Sequence, residues 1–113
     1  MESPMYPPST VELARKRREL APAPLQAFKA FSAAVFADGA LPSVTKQLIA
    51  VAVAHTTQCP YCIKGHTAEA LKQGATEQQI MEAIWVAAEM RAGAAYAHSA
   101  LALDVMQHAQ EGH

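Results

Sequence analysis

The sequence predicts an all-α protein of about five to six helices that assembles as an oligomer. Alanine, the residue with the strongest helix propensity, accounts for 25 of the 113 residues. The few glycines and prolines fall mostly where helices should begin or end. Hydrophobic residues make up 51% of the chain and charged residues only 17%, which leaves little polar surface to cover a small monomer. We therefore expect part of the apolar surface to be buried against other subunits.

Length and charge predict a single domain, residues 1–113, with no nucleic-acid or membrane partner. The formal net charge is -1, and the one basic run, residues 15–18, is typical of a solvated helix face. No apolar stretch reaches the ~20 residues needed to span a bilayer, and the N-terminal residues lack the apolar segment of a signal peptide. These features favour a cytoplasmic protein, where paired cysteines are more often catalytic, redox-active or metal-binding than structural.

The first half of the chain predicts an extended arm and two helices. Residues 1–9 are proline-rich and form the arm, and Thr10 or Ser9 caps a short polar helix that ends near Leu20. A second helix is expected from about Pro24 to Ala37, before Asp38 and Gly39. Apolar residues recur along it at the three- and four-residue steps of a buried stripe: Leu25, Phe28, Phe31 and Val35.

Two further helices flank the middle of the chain. Ser43 is positioned to cap a third helix with the body KQLIAVAVAHTT, residues 46–57, although periodicity alone also allows a buried strand there. The cap and the helical surroundings favour helix. After a break at residues 58–60, a fourth helix is predicted from Pro60 to about Gln73, with proline in the first turn and Gly74 just past the end.

The last third of the chain predicts two more helices. Residues 76–79, Thr-Glu-Gln-Gln, form a capping-box pattern that opens a fifth helix. A sixth helix, from about Ala94 to Gln110, is so rich in alanine and leucine that we expect it to be buried on more than one side. The inward-facing residues predicted for the fifth helix are Ile80, Ile84, Ala87 and Ala88.

The segment QCPYCIKGH contains both cysteines of the chain, Cys59 and Cys62, followed by His66. Because Pro60 starts a helix, the thiols lie at its N-terminal end, where backbone amides and the helix dipole favour a thiolate. Cys62 and His66 are four residues apart, on one face of that helix, so the imidazole can take the Cys62 proton or stabilise its thiolate. Cys59 is close enough to form a disulfide with Cys62. The segment thus provides a nucleophile, a base and a resolving thiol.

The residues of this segment also allow other interpretations. A zinc site needs about four ligands, and the segment offers at most three, with His55 or His98 as a fourth. Haem attachment is excluded because isoleucine follows Cys62. Two structural core cysteines beside a surface histidine remain an alternative. The tetrapeptide CPYC also occurs in glutaredoxins, but there it follows an N-terminal strand, whereas more than fifty residues precede it here.

Residues 46–88 closely resemble the core of the AhpD-like alkylhydroperoxidases, within the carboxymuconolactone decarboxylase superfamily, and the resemblance extends over about residues 41–103. It rests on the CxxCxxxH pattern, the apolar helix before it and the Gly-Ala-Thr turn after it. The resemblance implies an all-α fold assembled as trimers or hexamers. It implies a peroxidase without cofactor or metal, in which Cys62 attacks a small-molecule hydroperoxide, Cys59 resolves the sulfenic acid and a thiol or dithiol reductant regenerates the pair. His66 falls on the histidine of the family.

One residue departs from the family pattern. Relatives usually carry glutamate twelve residues before the first cysteine, in a proton relay to the histidine and the thiols, and this chain has Gln47 there. Glutamine hydrogen-bonds but does not take a proton, so the relay is either weakened or rerouted. His55, two turns further along the same helix, is a candidate substitute, and a purely structural role for it is an equal alternative.

Two other activities stay open on the sequence. The loss of the glutamate favours a thiol-disulfide oxidoreductase, or a redox-partner protein, with little peroxidase turnover. Lactone decarboxylation also occurs in this superfamily, but it does not depend on a cysteine pair, so the presence of both cysteines argues against it. Peroxidase action by Cys59, Cys62 and His66 is the interpretation that we favour.

Overall fold

The computed structural model describes residues 5–111, and this part of the chain is all-α, as predicted, with no strand. The helices are α1 (Val11–Leu20), α2 (Pro22–Phe36), α3 (Ser43–Thr57), α4 (Pro60–Lys72) and α5 (Glu77–Glu111). The segment 46–57, for which a buried strand was an alternative, lies in α3 and is helical throughout. Residues 1–4 of the predicted N-terminal arm lie outside the described residues, and residues 7–10 are irregular.

Several helix ends follow the local signals in the sequence. Thr10 caps α1, and its hydroxyl oxygen accepts the Leu13 N–H at 3.1 Å. At the start of α5 the capping box is reciprocal, since Thr76 Oγ1 accepts the Gln79 N–H at 3.0 Å and Gln79 Oε1 accepts the Thr76 N–H at 2.9 Å. Gly74 has a φ of 101°, a conformation that side-chain-bearing residues rarely adopt, and it closes the turn after α4.

Two predicted helix starts are corrected. Ser43 does not cap α3 with its side chain but is the first helical residue, and its N–H donates to Asp38 Oδ1 at 2.7 Å. The carboxylate of Asp38, across the short loop after α2, therefore satisfies the Ser43 amide, one of the N–H groups left free in the first turn of a helix. Helix α2 begins at Pro22 and not at Pro24, because proline is tolerated throughout the first helical turn.

The two helices predicted for residues 76–110 are one continuous helix of 35 residues, α5. The separation was placed around Gly93, but the residues on either side contain no proline and no capping pattern. A single glycine costs a helix about 1 kcal/mol relative to alanine, and the surrounding strong helix formers offset that cost. The correction thus leaves five helices within residues 5–111.

The core lies where α3 packs against α4 and α5. Val51 of α3 is fully buried, and Ala70, Ala75 and Ile80 surround it, with Ile84 partly buried at the edge. Of the residues predicted to face inward on α5, Ile80 and Ala87 are buried, whereas Ala88 is exposed, so that prediction was wrong for Ala88. This small core positions α4, and therefore the cysteine segment, against the middle of α3.

Much of the apolar surface expected to be buried is exposed in the single chain. Phe28 and Phe31 of the predicted α2 stripe are 64% and 63% exposed, and residues 88–111 of α5 are exposed along their length. The accessible surface, 9092 Å², compares with roughly 6000 Å² for a compact monomer of this mass. The radius of gyration, 20.0 Å, compares with about 13 Å for a compact chain of this length. These faces are exposed in the single chain because α2 and the end of α5 extend away from the core.

The sequence predicts no stretch that is long and apolar enough to span a bilayer. Among the described helices, none combines the length and the apolar character that crossing a bilayer requires.

Candidate active site

The cysteine segment lies at the junction between α3 and α4. Gln58 ends α3 in a left-handed conformation with φ 56°, and the N–H of Cys59 donates to the Ala54 carbonyl at 3.2 Å. The chain then turns sharply, so that Cys59 becomes the N-cap residue of α4 and Pro60 its first residue, as the sequence predicted. The sulfur of Cys59 accepts the N–H of Cys62 at 3.3 Å, which is the hydrogen bond that an N-cap side chain makes.

The end of α3 is also held by a residue that the sequence analysis did not single out. Arg91 Nη1, on α5, donates to the Thr56 carbonyl at 3.1 Å, which is one of the carbonyls left free at the helix end. Thirty-five residues separate the two in sequence, so no local pattern indicates the contact. Arg91 thereby anchors the chain just before the cysteine turn to the long helix.

Both cysteines are free thiols, half-exposed, and they interact directly. The pKa of Cys59 lies below its ordinary value, chiefly because its sulfur accepts a hydrogen bond from the Cys62 thiol and also one from the Cys62 backbone N–H. The pKa of Cys62 is raised, first because its thiol donates that bond and then because of partial burial. Of the two thiols, Cys59 is therefore the one whose thiolate is favoured in the reduced pair. The lowered pKa that the helix start predicts for Cys62 is not found in the reduced pair.

His66 is held between α3 and α2. Its Nδ1 lies 2.8 Å from Gln47 Oε1, and because an amide oxygen only accepts, Nδ1 carries the proton in this arrangement. Gln47 is 5% exposed and is the buried polar residue of the described core. The ring of Phe36, at the end of α2, stacks on the imidazole with 5.2 Å between ring centroids and an interplanar angle of 26°. With Nδ1 engaged, Nε2 is the ring nitrogen left to accept a proton.

Cys62 and His66 line the same cavity, which has a volume of about 480 Å³. Helices α2, α3 and α4 form its walls, and Cys59 is not among the lining residues. The cavity is mostly apolar, and its polar groups are the Cys62 thiol, the His66 imidazole, Lys46 and the Thr57 hydroxyl. The remaining lining residues are Val35, Phe36, Ile49, Ala50, Val53 and Ala54. An apolar molecule of a few carbon atoms can thus reach one thiol and one imidazole together.

His55, the candidate substitute for the missing glutamate, has a different position. Its Nδ1 lies 2.7 Å from the Val51 carbonyl, one turn earlier in its own helix, to which it donates. At 3.6 residues per turn, His55 lies roughly 140–160° around α3 from Ala50 and Val53, which line the cavity. It makes no hydrogen bond to His66 or Gln47 within the described residues. This geometry favours the structural role for His55 over a rerouted relay.

Metal binding was a further alternative for the cysteine segment. Within residues 5–111 no group of three or more histidine, cysteine, aspartate or glutamate side chains converges as a metal site would require. His98, considered as a ligand, is exposed on α5, and its Nδ1 lies 2.8 Å from the Ala94 carbonyl of its own helix. The described part of the chain therefore gives the zinc hypothesis no ligand set.

The fold and the site define an all-α protein with a CxxC dithiol at a helix start and a histidine facing the same cavity as the second thiol. The sequence model of the carboxymuconolactone decarboxylase family matches residues 22–105, and the chain belongs to that family.

The chain is also similar to several known proteins, one of which is named as a member of this family. The chain is 71% identical over 80 residues to the uncharacterized protein 4 in the cox locus of Paracoccus denitrificans, covering 71% of this chain and 72% of that one. A crystal structure from Methanobacterium thermoautotrophicum matches with a TM-score of 0.69 and 38% identity, over 74% of this chain and 93% of that one. The apo structure of a carboxymuconolactone decarboxylase family protein from Legionella pneumophila matches with a TM-score of 0.67 and 35% identity, over 70% of each chain.

Proposed function

We propose that this protein is a thiol-dependent peroxidase that reduces small organic hydroperoxides with the Cys59–Cys62 pair. The observation that carries the proposal is the shared cavity, in which the Cys62 thiol and the His66 imidazole lie on one apolar wall while Cys59 lies outside it. A hydroperoxide bound there meets a nucleophile and a base together. The sulfur of the second thiol already accepts the backbone N–H of Cys62. Family membership supports the fold and is compatible with this chemistry.

The reaction begins with the proton of Cys62. His66 Nε2, the unengaged ring nitrogen, accepts that proton, and the Cys62 thiolate attacks the terminal oxygen of the hydroperoxide. The O–O bond breaks, a sulfenic acid forms on Cys62, and the alkoxide takes the proton from the imidazolium and leaves as the alcohol. The alternative base is the Cys59 thiolate, whose pKa is lowered and whose sulfur lies next to Cys62.

The second step forms the disulfide. The sulfur of Cys59, whose pKa is lowered, attacks the sulfenic sulfur of Cys62 and releases water. In total one hydroperoxide and two thiols give one alcohol, one water and one disulfide. An external thiol or dithiol reductant then restores the pair by thiol-disulfide exchange. We place this cycle in the cytoplasm, where such reductants are kept reduced.

The proposed enzyme is a homo-oligomer, a trimer or a hexamer. Its exposed apolar faces on α2 and α5, and roughly 3000 Å² of accessible surface beyond that of a compact monomer, are the observations that support assembly. A specific interface buries about 800 Å² per partner, so each chain has surface for more than one neighbour.

The test is peroxide consumption by the full-length protein with a dithiol reductant, using hydrogen peroxide and an organic hydroperoxide in parallel. Cys62→Ser should abolish consumption, because it removes the nucleophile in the cavity. Cys59→Ser keeps a good N-cap residue and should form a sulfenic acid, detected with dimedone, without cycling. A Cys59→Ser protein inert to peroxide, together with a sulfenic acid trapped in Cys62→Ser, would reverse the two roles.

A second candidate function is thiol-disulfide exchange with little peroxidase turnover. The pKa order favours it, since Cys59 is the thiol that ionises first and it lies outside the cavity, accessible to a protein disulfide. In that case the wild-type protein should reduce a model protein disulfide at a rate that Cys59→Ser abolishes, and it should leave both hydroperoxides unconsumed.

A further inference from the structure

The imidazole of His66 is supported at two points, and only one of them belongs to the predicted proton relay. Gln47 accepts the Nδ1–H in a hydrogen bond of 2.8 Å. Phe36 covers one face of the ring, nearly parallel to it. A single hydrogen bond still allows the ring to swing about its own axis, whereas a stacked aromatic ring restricts that motion. Phe36 is therefore in a position to fix the orientation of Nε2 toward the cavity.

Phe36 is the last residue of α2, a helix that makes few other contacts with the core. What fixes it is Lys46 of α3. The Lys46 ammonium donates to the Ala37 carbonyl at 2.7 Å and to the Val35 carbonyl at 2.9 Å. These carbonyls lie at the C-terminal end of α2, where the helix dipole favours a cation. The ammonium thus holds the residues on both sides of Phe36.

Lys46 and Gln47 are neighbours in the first turns of α3, so one segment of this helix supplies both supports of the imidazole. Gln47 contacts His66 directly, and Lys46 acts through the end of α2 and Phe36. Asp38 adds a second tie across the same loop, because its carboxylate accepts the Ser43 N–H. Hydrogen bonds to the first residues of α3 therefore hold the start of the loop formed by residues 37–42.

We propose that Phe36 and Lys46 are positioning residues for His66: Lys46 clamps the end of α2, and Phe36, held there, keeps the imidazole in the orientation that presents Nε2 to Cys62. The inference rests on the proposed function in taking His66 as the base for Cys62. It adds two residues that act through the orientation of His66 and not as acids, bases or nucleophiles. It also assigns the cationic side chain of the cavity to holding the fold and not to binding an anionic substrate.

The experiment uses full-length protein carrying Cys59→Ser, so that Cys62 is the single thiol. Two quantities are measured without peroxide: the pH profile of Cys62 alkylation by iodoacetamide, and the tautomer of His66 from imidazole ¹⁵N chemical shifts, assigned with His66→Asn. Phe36→Leu keeps apolar bulk but removes the ring. Lys46→Met keeps the aliphatic stem but removes the ammonium, and Lys46→Arg restores a cation with several donors.

Phe36→Leu should lower the fraction of His66 protonated at Nδ1, and it should slow Cys62 alkylation near neutral pH by about tenfold, a part of what a positioned base contributes. Lys46→Met should change both quantities in the same direction, and Lys46→Arg should restore them. The matched controls both lie on α2: Phe28→Leu removes an exposed phenylalanine, and Lys29→Met removes a lysine for which no hydrogen bond to α3 is found. Both controls should match the parent.

The inference is overturned if folded Phe36→Leu shows the parental His66 tautomer and the parental alkylation profile. If Phe36→Leu does not fold, Lys46→Met and Lys46→Arg test the inference instead. An unchanged His66 tautomer in Lys46→Met would then contradict the positioning role of Lys46. Failure of the proposed function is distinguishable, because neither readout depends on peroxide. A protein that consumes no hydroperoxide but loses the Nδ1–H tautomer in Phe36→Leu retains the positioning role and rejects the peroxidase.

Discussion

The imidazole Nδ1 of His66 lies 2.8 Å from the side-chain oxygen of Gln47, which joins α4 to a buried residue of α3 that lies 19 positions earlier in the chain. The amide accepts one proton in a hydrogen bond but does not remove it. His66 is therefore fixed as the Nδ1–H tautomer without a carboxylate to stabilise its protonated form. Gln47 therefore orients the imidazole but does not supply the negative charge that would stabilise the imidazolium.

Gln47→Glu should raise peroxidase activity. A glutamate at this position meets the Nδ1–H of His66, stabilises the imidazolium formed when Cys62 loses its proton, and supplies a base of the kind that typically contributes ~10²–10⁴ in rate. The activity should also gain an acidic limb, since protonation of the glutamate at low pH removes the stabilising charge. The rate of hydroperoxide consumption between pH 4 and 9 measures both effects. An unchanged rate and profile would show that residue 47 only orients the imidazole.

His55→Ala should leave hydroperoxide consumption within about twofold of the wild type, because the imidazole donates to its own helix and lies on the far side of α3 from the cavity. Gln47→Ala is the matched comparison on the same helix and should lower the rate, since it leaves His66 Nδ1 without its partner. A tenfold or larger loss in His55→Ala would instead place a proton relay through that residue.

The two thiols should ionise in the order Cys59 before Cys62. Because the pKa of Cys59 is lowered, its thiolate forms at lower pH than that of an ordinary thiol, whereas the raised pKa of Cys62 delays its thiolate to more alkaline pH. Iodoacetamide should therefore label Cys59 first in the reduced protein at neutral pH, as read by peptide mass spectrometry. Preferential labelling of Cys62 under these conditions would contradict the order.

The cause of this order can be tested separately. Cys62→Ala removes the thiol that donates to Cys59, so the pKa of Cys59 should rise toward its ordinary value. Cys62→Ser keeps a donor at the same position and should leave the pKa of Cys59 low. Cys59→Ala should lower the pKa of Cys62, because the hydrogen-bonded partner and the like charge that raise it are gone. Identical Cys59 profiles in the Ala and Ser variants would show that the side-chain hydrogen bond is not the cause.

The protein should have a mass in solution that is a multiple of the 12.1 kDa chain, three or six times it. Leu101→Glu places a charge on the exposed apolar part of α5 and should reduce that mass, whereas Gln107→Glu adds the same charge at a polar position of the same helix and should not. Multi-angle light scattering at micromolar concentration measures both variants. A monomeric mass for the wild-type protein would contradict the predicted assembly through these apolar faces.

Local features of the fold were predictable because their causes are local. The cap at Thr10, the reciprocal capping box at residues 76–79 and the turn at Gly74 each depend on residues within one helical turn. For the same reason the start of α4 at Pro60, with the cysteines at its end, follows from the sequence. The break placed near Gly93 was wrong because a single glycine is compatible with a long helix.

What the sequence determined by itself is the all-α class and the set of groups Cys59, Cys62 and His66, because helix periodicity and spacing along one helix fix them. Only the tertiary structure decided what surrounds those groups. Phe36 and Gln47 contact His66 from two other helices. Lys46 likewise binds the end of α2, and Arg91 binds the end of α3. Such contacts depend on how helices pack, and spacing within any one segment does not encode them. His55 lies on the side of α3 away from the cavity for the same reason. The packing of α3 against its neighbours decides which of its sides faces the site.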